Sequence, residues 1–266
     1  MPDMIYLQAA LLGLVEGLTE FLPVSSTGHL ILLGDVLGFE GPPGKVFEIV
    51  IQLGAILAVC WLYRQKIIDT VLGFFVDATA RRFAIAVVLA FLPAAVLGVM
   101  FHKVIKSVLF NPLVVSISLV VGGVLILLIE RMAARGTIRH VDDIDYATAL
   151  KIGFCQALAM VPGVSRSGAT IMGARLFGVQ RAAATEFSFF LAIPTMLGAT
   201  VYDGYKNFSS IDDTGFAVIA VGFVVAFLAA LAVVKVAVAF ISRHGFGVFA
   251  WYRILLGGTM LFILLR

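Results

Sequence analysis

Charged residues are scarce in this chain: Asp, Glu, Lys and Arg together make up only 13% of its 266 residues. Soluble domains carry about 25%. Hydrophobic residues make up 61%, and the mean hydropathy is +1.08. This composition excludes an ordinary soluble protein. The net charge is only +3, and we expect no nucleic-acid partner.

Cysteine is scarce as well. Only Cys60 and Cys155 are present, both in apolar surroundings and without the spacing of metal ligands. We interpret them as small buried hydrophobic residues. The first residues, Met1-Pro2-Asp3, lack the basic region of a secretory signal, so a cleaved signal peptide is not expected.

Long apolar stretches dominate instead. Several reach the roughly 20 residues that are needed to cross the hydrocarbon core of a bilayer. We predict six transmembrane helices, at 46–63, 84–103, 113–130, 186–203, 216–238 and 249–265. The expected fold class is therefore an all-α polytopic membrane protein, with membrane lipids around it.

Two polar segments, 4–37 and 147–178, each precede three of these spans and look like copies of one another. At an offset of 140 residues, the identical positions in the first copy are Gly13, Leu18, Val24, Ser25 and Gly28. Because three spans is an odd number, the two copies, about 1–133 and 142–266, are predicted to have inverted orientations. Duplicated segments interrupted by Pro and Gly indicate a binding site near the membrane midplane.

The basic residues set the predicted orientation. They concentrate in the loops 64–82 and 131–146 and again near 235–243, which we place in the cytoplasm. Both termini then lie outside, and neither polar segment can cross the membrane. We predict two re-entrant helical hairpins that enter from opposite faces and meet near the midplane, where protein surrounds their irregular backbone.

Glu16 and Glu20 are the acidic pair of the first hairpin. Four residues apart, they lie on one helix face, and two adjacent carboxylates repel one another. A divalent cation, Arg166, or a shared proton could join them. Oxygen ligands suit Mg²⁺ or Ca²⁺ better than zinc, although a protonated glutamate that bonds a neighbouring helix would also be compatible.

The tip of the first hairpin is rich in hydroxyl groups. Pro23 ends a helix, and Ser25, Ser26, Thr27 and His29 occupy the start of the next. Helix N-termini favour anions, and a hydroxyl with a nearby imidazole is the minimum for nucleophilic displacement. We predict Ser26 as the nucleophile and His29, on the same helix face, as its base or as the acid that restores the leaving group. Ser25 or Thr27 would cap the helix or touch phosphate, although capping alone could explain one of them.

The tip of the second hairpin places an arginine between two serines. Arg166 offers a planar fork of donors beside free backbone N–H groups, which suits phosphate. We predict that it binds and stabilises the anion, and that Ser165, Ser167 and Thr170 contact the substrate. Arg175 is predicted at the membrane interface. The roles of three polar residues that begin spans stay open; these are Glu48, Gln52 and Glu186.

The segments 16–29 and 162–170 closely resemble the two signature motifs of the undecaprenyl-diphosphate phosphatase family, the bacitracin-resistance proteins. The resemblance covers essentially the whole chain. It implies a bacterial inner-membrane enzyme, open to the periplasm and dependent on a divalent metal, that removes the terminal phosphate of undecaprenyl diphosphate and recycles this lipid carrier for cell-wall synthesis. The family's functional residues carry over to Glu16 and Glu20 as the acidic pair, and to Ser26, His29 and Arg166.

Two other functions are compatible with parts of the sequence. Type-2 phosphatidic-acid phosphatases have a Ser-Gly-His element that Thr27-Gly28-His29 echoes, but this chain has no Arg-Pro dipeptide for their first motif, and neither Ser-Arg pair has a histidine at the required distance. A transporter or lipid flippase would also use inverted hairpins. Phosphate release in detergent separates hydrolysis from transport.

Overall fold

The computed structural model describes residues 2–42, 46–104, 111–133, 136–207 and 213–266. Within these ranges the protein is all-helical, as predicted, apart from one isolated bridge between Ile138 and Val179. The helices are α1 Pro2–Thr19, α2 Ser26–Leu37, α3 Val46–Leu62, α4 Arg64–Gly73, α5 Ala78–Val104, α6 Pro112–Met132, α7 Tyr146–Ala157, α8 Arg166–Leu176, α9 Arg181–Asn207, α10 Asp213–His244 and α11 Gly247–Leu264.

Every predicted span coincides with a helix. Among the described residues, α5, α6, α9, α10 and α11 are long and apolar enough to cross a membrane. The helices α3 and α4 are bent by 76° and give a sixth span if they are counted as one. The chain is therefore a polytopic membrane protein.

The segment 64–82 is more ordered than the predicted loop. It contains α4 and the start of α5. The helix α4 carries charged residues such as Arg64 and Lys66 beside exposed apolar residues such as Val71 and Leu72. A helix of this mixed character suits a membrane surface.

Two of the predicted cytoplasmic loops lie at the same end of the helix bundle. Lys66 forms an ion pair with Asp142 at 2.5 Å, and Arg82 Nη2 donates to the carbonyl oxygen of Asp143 at 2.7 Å. Nearby, Asp145 caps α7 by accepting a hydrogen bond from the Thr148 N–H, which lowers the pKa of the Asp145 carboxyl group.

Each polar segment forms a helical hairpin, α1–α2 and α7–α8. The first hairpin packs against α10 and the second against α5, with a glycine at each contact. A Cβ atom on Gly13 would lie 2.3 Å from Gly222 O, and one on Gly153 would lie 2.4 Å from Ala90 O. Two glycines at equivalent positions of the copies thus allow close backbone approach. The inverted orientation of the halves stays a prediction.

A buried aromatic contact supports the meeting point of the two halves. Phe21, directly after Glu20, packs edge-to-face against Phe189 of α9, with ring centroids 5.1 Å apart. Both rings are fully buried. This contact holds the tip of the first hairpin against the part of α9 that bears Ser188.

Candidate active site

The two hairpin tips have the same unusual backbone. Ser25 and Ser165 have φ angles of 71° and 75°, and they are the non-glycine residues with positive φ in the described part of the chain. The hydroxyl of each accepts a hydrogen bond from the N–H of Gly28 or Gly168, at 3.3 and 3.1 Å. Such strained backbone costs about 1–3 kcal/mol and is concentrated at functional sites. Of the alternatives left open for Ser25 and Thr27, capping of α2 by Ser25 is observed.

The tips bring Glu20, Ser26 and Arg166 together. Ser26 Oγ donates to Glu20 Oε2 at 2.5 Å, and Arg166 Nη2 donates to Glu20 Oε1 at 2.7 Å. Arg166 Nη1 also donates to the carbonyl oxygen of Ser188 at 2.9 Å. One buried carboxylate therefore accepts both a hydroxyl from its own hairpin and a guanidinium from the other.

These three residues stand at the polar end of a cavity of about 520 Å³. Ser25, Thr27 and Ser165 also line this end. Most of the remaining wall is apolar and comes from α5, α9 and the second tip: Phe91, Ala94, Ala95, Gly98, Val99, Met160, Met196 and Ala199. A polar end and an apolar wall can accommodate an amphipathic ligand. Gln52, whose role was open, lines the cavity with Gln156.

Ser167 and Thr170 lie beside the cavity and do not line it. Ser167 Oγ donates to the carbonyl oxygen of Leu22 at 2.8 Å, and Thr170 Oγ1 lies 2.6 Å from Ser188 Oγ. Both hydroxyls are bonded within the protein, and the substrate contacts predicted for them stay predictions. Ser167 instead joins the two tips directly.

Glu16 is fully buried, and its two carboxylate oxygens have no hydrogen-bond partner among the described residues. Of the partners considered for the acidic pair, Arg166 bonds Glu20 rather than Glu16. Two unpartnered carboxylate oxygens fit a bound Mg²⁺ or Ca²⁺, since buried charge needs compensation. The described residues contain no cluster of three or more His, Cys, Asp or Glu.

The predicted pairing of Ser26 with His29 is wrong. His29 Nδ1 lies 2.8 Å from the Ser25 carbonyl oxygen, and its Nε2 lies 2.5 Å from the hydroxyl of Tyr252. Both ring nitrogens are thus engaged away from Ser26, and His29 does not line the cavity. The competing partner is on α11, 223 residues further along the chain, where spacing within one helix could not reveal it.

The interfacial position of Arg175 stays a prediction, but the residue is enclosed by protein. Its side chain is buried, and Nη1 donates to the carbonyl oxygen of Val179 at 2.9 Å. Glu186 lies outside the cavity and accepts a long hydrogen bond of 3.4 Å from Tyr63. Glu48 does not line the cavity either.

Three residues that support the site were not predicted from the sequence: Ser188, Tyr252 and Arg253. Arg253 is only 1% exposed, and it donates to carbonyl oxygens of both hairpin tips, at Pro23 and Val164 among others. Its signal was a lone arginine inside the apolar span 249–265. Ser188 and Tyr252 carried no comparable signal, because serine and tyrosine are common in membrane helices.

Comparison with known proteins places these residues in a family context. Residues 9–259 match the family described as bacitracin resistance protein BacA. The chain is 58% identical to undecaprenyl-diphosphatase 2 of Paramagnetospirillum magneticum, over 97% of this chain and 99% of that protein. It is 56% identical to undecaprenyl-diphosphatase of Aromatoleum aromaticum (97% and 94%) and 53% identical to undecaprenyl-diphosphatase 3 of Acinetobacter baylyi (97% of each).

Proposed function

The chain belongs to the bacitracin resistance protein BacA family, and we propose that it hydrolyses undecaprenyl diphosphate to undecaprenyl phosphate and inorganic phosphate. Its relatives at 53–58% identity are named undecaprenyl-diphosphatases. In the cell this reaction recycles the lipid carrier for cell-wall synthesis and confers resistance to bacitracin. The observation that carries the proposal is the contact of Ser26, Glu20 and Arg166 at the polar end of an apolar cavity.

Ser26 is the proposed nucleophile. Its hydroxyl already donates to Glu20, so Glu20 is placed to accept the proton as Ser26 Oγ bonds to the terminal phosphorus. The bond from that phosphorus to the bridging oxygen breaks, and undecaprenyl phosphate leaves. Water then attacks the phosphoserine, releases inorganic phosphate and restores the Ser26 hydroxyl. Glu20 thereby takes the part that the sequence assigned to His29.

Arg166 is the proposed phosphate ligand. Its Nε has no partner among the described atoms, and both terminal nitrogens already make hydrogen bonds at the site. A guanidinium fork can hold two phosphate oxygens while its planar shape fixes their direction. Positive charge that is already in place before the reaction stabilises the charge of the transferring phosphoryl group.

Glu16 and Glu20 are the proposed protein ligands of a divalent cation, Mg²⁺ or Ca²⁺. The unpartnered oxygens of Glu16 support this assignment. When bound, the cation would neutralise phosphate charge. Glu20 alone of the pair lines the cavity, so Glu16 would serve mainly to hold the cation and Glu20 to connect it with the reacting groups.

We further propose that the protein lies in the bacterial inner membrane, with both termini and the opening of the cavity on the periplasmic side. The arrangement of basic loops supports this orientation. The contacts of Lys66 and Arg82 with residues 142 and 143 are consistent with it, because they join two of these loops. The undecaprenyl chain would lie along the apolar wall of the cavity.

The decisive assay is phosphate release from undecaprenyl diphosphate by the purified protein in detergent. Hydrolysis needs no second compartment, so release in micelles excludes a protein that only transports lipid. Phosphatidic acid serves as the comparison substrate, because preferential release from this monoester would indicate the type-2 phosphatase activity instead. Absence of phosphate release from the diphosphate, with added Mg²⁺ or Ca²⁺, would overturn the proposal.

A further inference from the structure

Arg253 is a cation buried in α11, 1% exposed, and no carboxylate pairs with it among the described residues. An unpaired charge inside a membrane protein is costly and marks a functional position by default. Arg253 does not line the cavity, so it cannot act on substrate directly. Its function must therefore come from the protein groups that it contacts.

The guanidinium group satisfies all of its donors on backbone carbonyl oxygens. An arginine has five N–H groups in a rigid plane, and here five carbonyl oxygens receive them. They belong to Leu119 (3.4 Å from Nε), Pro23 and Val164 (3.1 and 2.9 Å from Nη1), and Ser118 and Gly163 (3.1 and 2.9 Å from Nη2). Carbonyl dipoles thus replace a counter-ion.

Three of these carbonyl groups belong to the two hairpin tips, directly before the helices that carry Ser26 and Arg166. Pro23 precedes the strained Ser25, and Val164 directly precedes the equally strained Ser165. A single nitrogen, Nη1, bonds both of these carbonyls, one from each tip. Of the other three bonds, one goes to Gly163, also in the second tip, and two go to Leu119 and Ser118 of α6.

We infer that Arg253 is a positioning residue that fixes one hairpin tip relative to the other, and thereby Ser26 and Glu20 relative to Arg166. The inference rests on the proposed phosphatase function. In the described structure the relative position of the tips thus depends on this guanidinium group and on two direct contacts between the tips, the hydrogen bond from Ser167 to Leu22 and the ion pair of Arg166 with Glu20.

The surrounding packing is shaped for a guanidinium. A Cβ atom on Gly122 would lie 2.0 Å from Nη2, and one on Gly168 would lie 3.3 Å from Nη1. Glycine at position 122 is thus required by the arginine itself. A lysine would bring three donors on a flexible stem and could not reproduce five planar bonds.

The test compares Arg253→Lys, Arg253→Met and Gly122→Ala with the wild type, measuring kcat, KM and the melting temperature in detergent. Gly122→Ala keeps the charge of Arg253 and displaces its guanidinium group, because the added Cβ atom would overlap with Nη2. We expect kcat to fall about 100-fold, because misplacement by roughly 1 Å can have that effect, while KM changes less than about threefold. Arg175→Met is the matched control, since Arg175 is also buried and bonded to backbone carbonyls but contacts neither tip.

The control for Gly122→Ala is Gly258→Ala, where a Cβ atom would meet nothing within 4 Å. A second readout is the double-mutant cycle of Arg253→Met with Ser167→Ala. If Arg253 and Ser167 both fix the position of one tip relative to the other, the effects of the two substitutions on kcat are non-additive. The effects of Arg253→Met and Thr259→Ala should be additive, because Thr259 bonds Leu255 within its own helix.

Three results would overturn the inference: unchanged kcat in the folded Arg253 and Gly122 variants, loss of kcat in Arg175→Met equal to that in Arg253→Met, or additive effects of Arg253→Met and Ser167→Ala. Wild-type phosphate release is measured beside them. A wild-type protein without activity would count against the proposed function, whereas an active wild type with unaffected variants would count against the role of Arg253 alone.

Discussion

Arg166 and Glu20 lie 146 residues apart in the chain, yet Arg166 Nη2 donates to Glu20 Oε1 at 2.7 Å. Their side chains are only 9% and 4% exposed. The pair joins the two hairpins at their tips, and the other oxygen of Glu20 accepts the Ser26 hydroxyl. A single carboxylate therefore couples the proposed nucleophile to the proposed phosphate ligand.

Replacement of Ser26 by alanine should abolish turnover and leave substrate binding largely intact, because Arg166 and the apolar wall remain. Ser116→Ala is the control, since its hydroxyl is also buried but bonds within its own helix, to the Pro112 carbonyl. Phosphate release and the binding of labelled substrate measure the two effects. Residual activity within about tenfold of the wild type, a barrier change of only ~1.4 kcal/mol, would transfer the attack to water.

Replacement of Arg166 by lysine should remove most of the activity although the charge is kept. One ammonium group cannot bond Glu20, Ser188 and two phosphate oxygens in a fixed plane. We expect kcat/KM to fall about 100-fold, or ~2.7 kcal/mol. Arg181→Lys is the matched control, because Arg181 pairs with Glu130 outside the cavity. Near-native rates for the Arg166 variant would show that charge alone suffices.

Removal of divalent cations with EDTA should stop phosphate release, and added Mg²⁺ or Ca²⁺ should restore it. Glu16→Gln should raise the metal concentration that gives half-maximal rate, because it removes one of the proposed ligands. Glu130→Gln, an acid outside the cavity, should leave this concentration unchanged. Full activity after EDTA treatment would falsify the metal role.

The contact between His29 and Tyr252 predicts coupled variants. His29→Ala and Tyr252→Phe should each slow turnover about three- to tenfold, a smaller loss than for Ser26→Ala, because neither side chain contacts Ser26. The double variant should be no slower than His29→Ala, since the two residues act through one bond. A loss on His29→Ala as large as on Ser26→Ala would restore His29 as the direct base.

Thiol labelling in intact cells tests the orientation. Cells that carry one cysteine, at position 74 or at position 207, in a background without Cys60 and Cys155, are treated with a membrane-impermeant thiol reagent. The reagent reaches only the periplasmic side of the inner membrane. Labelling is expected at 207 and not at 74, because the loop 64–82 is predicted to be cytoplasmic. The opposite pattern would turn the opening of the cavity toward the cytoplasm.

The apolar patterning and the two polar motifs by themselves predicted the helices, the hairpins at 4–37 and 147–178, and a site that unites Glu20, Ser26 and Arg166. These features depend on local hydropathy and on turn-forming residues, which can be read along the chain. The predicted contact of Ser26 with His29 failed because helix spacing says which residues share a face, but not which partner competes for a side chain.

Only the tertiary structure decided that Glu20 rather than His29 receives the Ser26 hydroxyl, that Arg175 is buried, and that Arg253 bonds both tips. Each of these outcomes depends on groups brought together by helix packing: Arg253 lies 230 residues from Pro23, and Tyr252 lies 223 residues from His29. The sequence determined which elements form and which residues are expensive to bury. The distances between those residues were decided by packing, because buried polar groups take whichever partners the neighbouring helices present.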